Sequence, residues 1–198
     1  MRALIFASLF LFSCLASAQA ADALKAVNAA RSQIGVTTAY DPAYSQLAYP
    51  MGDVPQVRGV CSDVIIRAYR KAGVDFQMLV HRDMQNNFSV YPKLWGLKKT
   101  DSNIDHRRVP NLEVFFKRQG KSVADMQTAE GFNPGDIVSW RLSNGLAHIG
   151  MVSNKRSIFG SRPLIIHNIG QGTREEDVLF AWQIVGHYRW FNASGVSH

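Results

Sequence analysis

The dipeptide Pro134-Gly135 separates two hydrophobic periods, and that change of period sets what the chain can fold into. Ahead of it, apolar residues recur at helical spacing. Leu24, Val27, Ala30 and Ile34 mark a helix over 22–34 that Gly35 closes, and Val64, Ile65, Ala68 and Tyr69 mark a second over 61–72 that Gly73 stops. A third is expected over 74–87, ended by the loop around Pro92, and Pro110, Leu112, Val114, Phe115 and Phe116 open a fourth that stops at Gly120. Beyond Pro134-Gly135 the period drops to two, which predicts strands over 136–142, 146–153, 164–169 and 182–190. Ser143-Asn144-Gly145 is a tight hairpin signal, whereas 154–163 is a longer basic loop. Helices first and strands second imply an α+β domain with an antiparallel sheet. Residues 37–57, rich in Tyr, Pro, Gly and Asp, read as an ordered loop leading into the second helix.

Residues 1–20 carry a basic Arg2, the apolar run 3–12 and the small-x-small signal Ala18-Gln19-Ala20. This pattern predicts a secretory signal peptide, with 21–198 as a single domain and no transmembrane span after cleavage. Lipidation at Cys14 is the weaker reading, because Phe12 fits a lipoprotein signal poorly. Export would place the protein outside the cytoplasm, most simply in a periplasm. Cleavage removes Arg2 and no acid, so the formal charge falls from +7 to +6. The positive excess favours anionic partners such as cell-wall polymers, and the lack of a dense basic run with interleaved aromatics argues against nucleic acid. A monomer is expected.

Of the two cysteines, only Cys61 outlasts cleavage, so no internal disulfide can form. An unpaired thiol in an oxidising compartment raises the prior for a reactive cysteine over an inert buried one. Cys61 opens a predicted helix, where the dipole and unpaired amides lower a thiol pKa and a backbone amide can face a developing oxyanion. Downstream, His148 shares a strand face with Gly150 and Val152, and small Gly150 would leave room for a substrate chain beside the ring. His148 is the expected general base. His167 shares a face with Ile165 and Ile169 and could fix the His148 tautomer if the two strands are neighbours. A zinc site built from Cys61, His148 and His167 is the competing reading, but the usual close ligand pairing is missing, so no metal or cofactor is expected. Tyr40 and Tyr49 are candidate groove residues, and Arg107 and Arg108 are candidates to meet substrate carboxylates.

The segments Pro134-Gly135-Asp136-Ile137-Val138-Ser139-Trp140, Ala147-His148-Ile149-Gly150-Met151-Val152 and Ile166-His167, preceded by Cys61 on a helix, resemble the NlpC/P60 superfamily of papain-like cysteine peptidases. More narrowly, Tyr40-Asp41-Pro42-Ala43-Tyr44, Gly59-Val60-Cys61-Ser62-Asp63, Ile104-Asp105-His106-Arg107-Arg108-Val109-Pro110-Asn111 and Gly186-His187-Tyr188-Arg189 resemble the DUF1287 family of secreted bacterial proteins, a domain of unknown function. The resemblance implies a papain-like fold, places Cys61, His148 and His167 at nucleophile, base and third polar position, and implies cleavage of amide bonds in peptidoglycan stem peptides. Two departures concern the substrate groove: Val60 stands where the superfamily commonly has Asp, and the loop between the histidines is long. A non-catalytic cell-wall or protein-binding module on the same scaffold, and an acyl or peptidyl transferase, are the alternative functions.

Overall fold

The computed structural model describes residues 2–191. Among these are α1 (Arg2–Arg31), α2 (Cys61–Lys71), α3 (Phe76–Asn86) and α4 (Val109–Arg118), followed by β3 (Ile137–Arg141), β4 (Ala147–Arg156), β5 (Pro163–Asn168), β6 (Thr173–Glu176) and β7 (Gln183–Tyr188). Two short strands, β1 (Ala39–Tyr40) and β2 (Arg58–Gly59), pair in parallel just ahead of α2. The five later strands form one antiparallel sheet in the order β6-β5-β4-β3-β7. The architecture is therefore α+β with helices before sheet.

The sheet is buried on both faces because its strands alternate between two cores. Ile137, Ile149, Met151, Ile166 and Tyr188 point to the helices, where they meet Ala26, Val27, Val64, Ile65, Ala68 and the aromatic group Tyr69, Phe76, Phe115 and Phe116. Val138, Trp140, Val152 and Ile165 point the other way, under Phe132 and Leu179. The hairpin at 142–146 turns as expected, with Leu142 N–H donating to the Leu146 carbonyl and Gly145 at φ 80°.

Three expectations need correction. The first helix runs Arg2–Arg31, so it stops short of Ile34, and its core face is Ala26, Val27 and Ala30. Leu24 and Ile34, which were expected on that face, are largely exposed. The third helix starts later than the pattern implied, at Phe76, because Asp75 caps it by accepting from the Gln77 amide. Strand β6, Thr-Arg-Glu-Glu, was not expected at all. It is a charged edge strand, and charge is how edges resist further pairing. Among the described residues no helix is long and apolar enough to cross a membrane.

Candidate active site

Cys61 is the first residue of α2 and is almost fully buried. Its setting is built by the residues around it. The Val60 amide donates to Asp63 Oδ2 at 2.7 Å, and Asp63 in turn receives two hydrogen bonds from Arg107, both at 2.9 Å. The Ser62 hydroxyl donates to the Arg107 carbonyl, and Asn168 Nδ2 at the end of β5 donates to the Gly59 carbonyl. The helix start is thus pinned on one side to the 105–107 turn and on the other to the sheet.

The two histidines project from the opposite face of that sheet. His148 on β4 and His167 on β5 meet through Nε2 and Nδ1 at 2.8 Å, and His167 Nε2 lies 3.1 Å from Glu176 Oε2 on β6. The chemistry of the end group orders the protons along this chain. Glu176 accepts from His167 Nε2–H, so His167 Nδ1 carries a lone pair and accepts from His148 Nε2–H. His148 Nδ1 is left as the basic nitrogen. Trp140 and Trp182 flank the His148 ring at 5.8 and 5.7 Å between centroids.

Alternation along a strand sends consecutive side chains to opposite faces, so the thiol and the imidazole lie on opposite faces of the sheet. Cys61 lies in the helix-side core with Ile149, and the Ile149 amide contacts its sulfur. That amide belongs to the peptide joining Ile149 to His148. No hydrogen bond links Cys61 to His148 or to His167.

Burial dominates the electrostatics. It pushes the Cys61 thiol up to about 11, against the amides of Ile149 and Ser62 and the Tyr40 hydroxyl, which favour the thiolate. Burial likewise drives His148 down to about 3, with His167 adding to the shift, and it lowers His167 against the pull of Glu176. The expectation of a depressed thiol pKa at the helix start is therefore corrected: desolvation outweighs the dipole and the amides, and the resting pair is a neutral thiol and a neutral imidazole. The expected role for Gly150 is corrected as well. A Cβ there would lie 2.7 Å from an Ile165 methyl carbon and 3.2 Å from His167 Cβ, so the glycine makes room for strand β5 and not for a substrate.

Cys61 lines a cavity of about 460 Å³ with Tyr40, Tyr44, Trp95 and Arg108 among its walls. Tyr40 is where the sequence placed it. Tyr49 is not: it packs edge-on against His81, with ring centroids 5.2 Å apart, and does not line this cavity. Arg107 reaches the cavity wall, but its guanidinium is committed to Asp63, so it braces the helix start. Arg108 stacks on Trp95 at 4.7 Å. Sequence reasoning missed Glu176, since β6 itself was not expected, and missed Trp95 and Tyr44. The Gly186-His187-Tyr188-Arg189 segment is structural: Asp136 receives Arg189 Nε at 2.8 Å and lies 2.6 Å from His187 Nε2, which ties β7 to the start of β3.

The fold and site define an α+β protein that sets a buried cysteine at a helix start, on one side of an antiparallel sheet whose other face holds a hydrogen-bonded histidine pair. Residues 27–190 match the family described as Domain of unknown function (DUF1287), and the chain belongs to that family. It is 60% identical over 173 residues to the "Uncharacterized protein YijF" of Escherichia coli (strain K12), a match covering 87% of this chain and 84% of that protein. No solved structure matches the chain.

Proposed function

We propose that this protein is an exported cysteine hydrolase with a papain-like arrangement of the NlpC/P60 kind, cleaving amide bonds in peptides of the bacterial cell wall. The observation that carries the reading is the hydrogen-bonded series His148, His167, Glu176, which leaves the lone pair on Nδ1 of His148, the residue next to the Ile149 whose amide favours the Cys61 thiolate.

In the reaction, Cys61 Sγ attacks the acyl carbon and His148 Nδ1 takes the thiol proton, a transfer that requires the two groups, on opposite faces of the sheet at rest, to be brought within hydrogen-bond reach when substrate binds. The backbone amide of Cys61 itself, at the start of α2, is the proposed donor to the developing oxyanion. The C–N bond breaks, the amine leaves with the proton from His148, and a thioester remains. Water then attacks the thioester, with His148 accepting its proton, and thiol and carboxylic acid are released. His167 and Glu176 are positioning residues that hold the His148 tautomer and stabilise the imidazolium formed in each half-reaction. An amine in place of water would make the same site a transferase.

Mass spectrometry of purified sacculi incubated with the protein tests this. New peptide termini are expected with wild type and none with Cys61→Ala. If no fragment is released from sacculi of several wall chemistries, a non-catalytic wall- or protein-binding role becomes the better account.

A further inference from the structure

Among the described residues lining the Cys61 cavity, Arg108 is the one charge that no ion pair neutralises. Among the described residues lining the cavity none is acidic, and the other cation, Arg107, is held by Asp63 through two hydrogen bonds. Nη1 of Arg108 is buried, yet it finds no hydrogen-bond partner among the described residues. Its guanidinium is instead kept in place by stacking on Trp95 at 4.7 Å, a contact that orients the plane without using the N–H groups. A buried donor without a partner is costly to keep, and a planar fork of donors suits a carboxylate in particular.

We propose that Arg108 is a carboxylate-binding residue of the Cys61 cavity, so that the molecule attacked by Cys61 carries a free carboxylate near its reacting acyl group. This rests on the reading of Cys61 as the nucleophile and adds a substrate class to it: acyl compounds with a terminal or side-chain carboxylate, in preference to capped or neutral ones. Trp95 and Tyr44 form the apolar walls beside that anchor, and Tyr44 is fixed by donating to Asp101 at 2.9 Å.

Alkylation of Cys61 tests the anchor without requiring turnover. Bromoacetyl-glycine and bromoacetyl-alanyl-alanine place a carboxylate at two distances from the sulfur, and the C-terminal amide of each is a neutral match. At least one acid is expected to label Cys61 about tenfold or more faster than its amide, relative to the same ratio for N-acetylcysteine. Arg108→Gln should bring the ratio down to that of the free thiol, and taking the ratio of acid to amide cancels any change in the reactivity of the thiol itself. Arg108→Lys should retain part of the preference, as a point charge without the fork. Arg156→Gln, which removes an exposed cation at the far end of β4, should leave the ratio alone and so exclude a general effect of net charge. An acid-to-amide ratio equal to that of the free thiol for both probes, or one that survives Arg108→Gln, overturns the proposal. A preserved ratio with no release of fragments from sacculi would overturn the wall-hydrolase reading instead and leave the anchor standing.

Discussion

Acid should unfold this protein earlier than its carboxylates alone would allow, because two fully buried imidazoles are kept neutral. Burial holds His148 and His106 each down to about 3. The unfolded chain takes up protons at these positions near the ordinary histidine pKa of about 6.5. Their contribution to stability is complete above that value and is lost as pH falls toward the folded-state value. At about pH 5 the unfolded side chains are about 1.5 units below their pKa, and one unit is about 1.4 kcal/mol, so each histidine costs about 2 kcal/mol and the pair about 4 kcal/mol. His167 works in the same direction. Against a domain stability of about 5–15 kcal/mol, that is a large fraction. Urea titrations followed by tryptophan fluorescence, in steps from about pH 7.5 to about pH 5, would read it as a falling midpoint at constant slope. Carboxylates such as Asp83 and Glu175, which ion pairs hold below their usual range, lose their contribution only at lower pH. Asp105, raised by burial, opposes the trend but is common to wild type and variants. His106→Gln and His148→Gln should each remove about half of the pH dependence attributed to the pair. A wild-type change under about 1 kcal/mol across this range, or a dependence untouched in both variants, would refute the assignment of neutral buried imidazoles.

Three further outcomes follow from the same geometry. Iodoacetamide labelling of Cys61 should keep rising with pH beyond the range of a free thiol, toward the pKa of about 11 that burial imposes, and a plateau below about pH 8 would show that desolvation does not dominate. If the Cys61 site turns over substrate, Cys61→Ala and Cys61→Ala with His148→Ala should be equally inactive, while Glu176→Gln, which can still accept from His167, should lose less than His167→Ala, as measured by kcat/KM. Asp63→Asn should destabilise the fold by about 3–5 kcal/mol, because Arg107 is left buried with its ion pair broken; a loss under about 1 kcal/mol in urea unfolding would show that the pair is relieved elsewhere.

The order of helices and strands was legible in the sequence because burial imposes its period on each segment separately: 3.6 along α2, where Val64, Ile65 and Ala68 face one core, and two along β4, where Ile149 and Met151 alternate with His148 and Gly150. The same alternation revealed that His148 and His167 share a face, since that needs only the pleat and the pairing of neighbouring strands. Tertiary structure decided what depends on approach from a distant segment. The parity of β4 sets His148 on the face away from α2, so thiol and imidazole lie on opposite faces of the sheet, a relation that no spacing within either segment encodes. Glu176 became the anchor of the histidine pair only once a charged edge strand had docked beside β5. Adjacent arginines received opposite fates for the same reason: Arg107 found Asp63 within reach, and Arg108 found only the face of Trp95. The helix dipole at Cys61 is a local property and could be read from the chain. Its defeat by desolvation could not, because burial is the work of all the elements that close over the thiol.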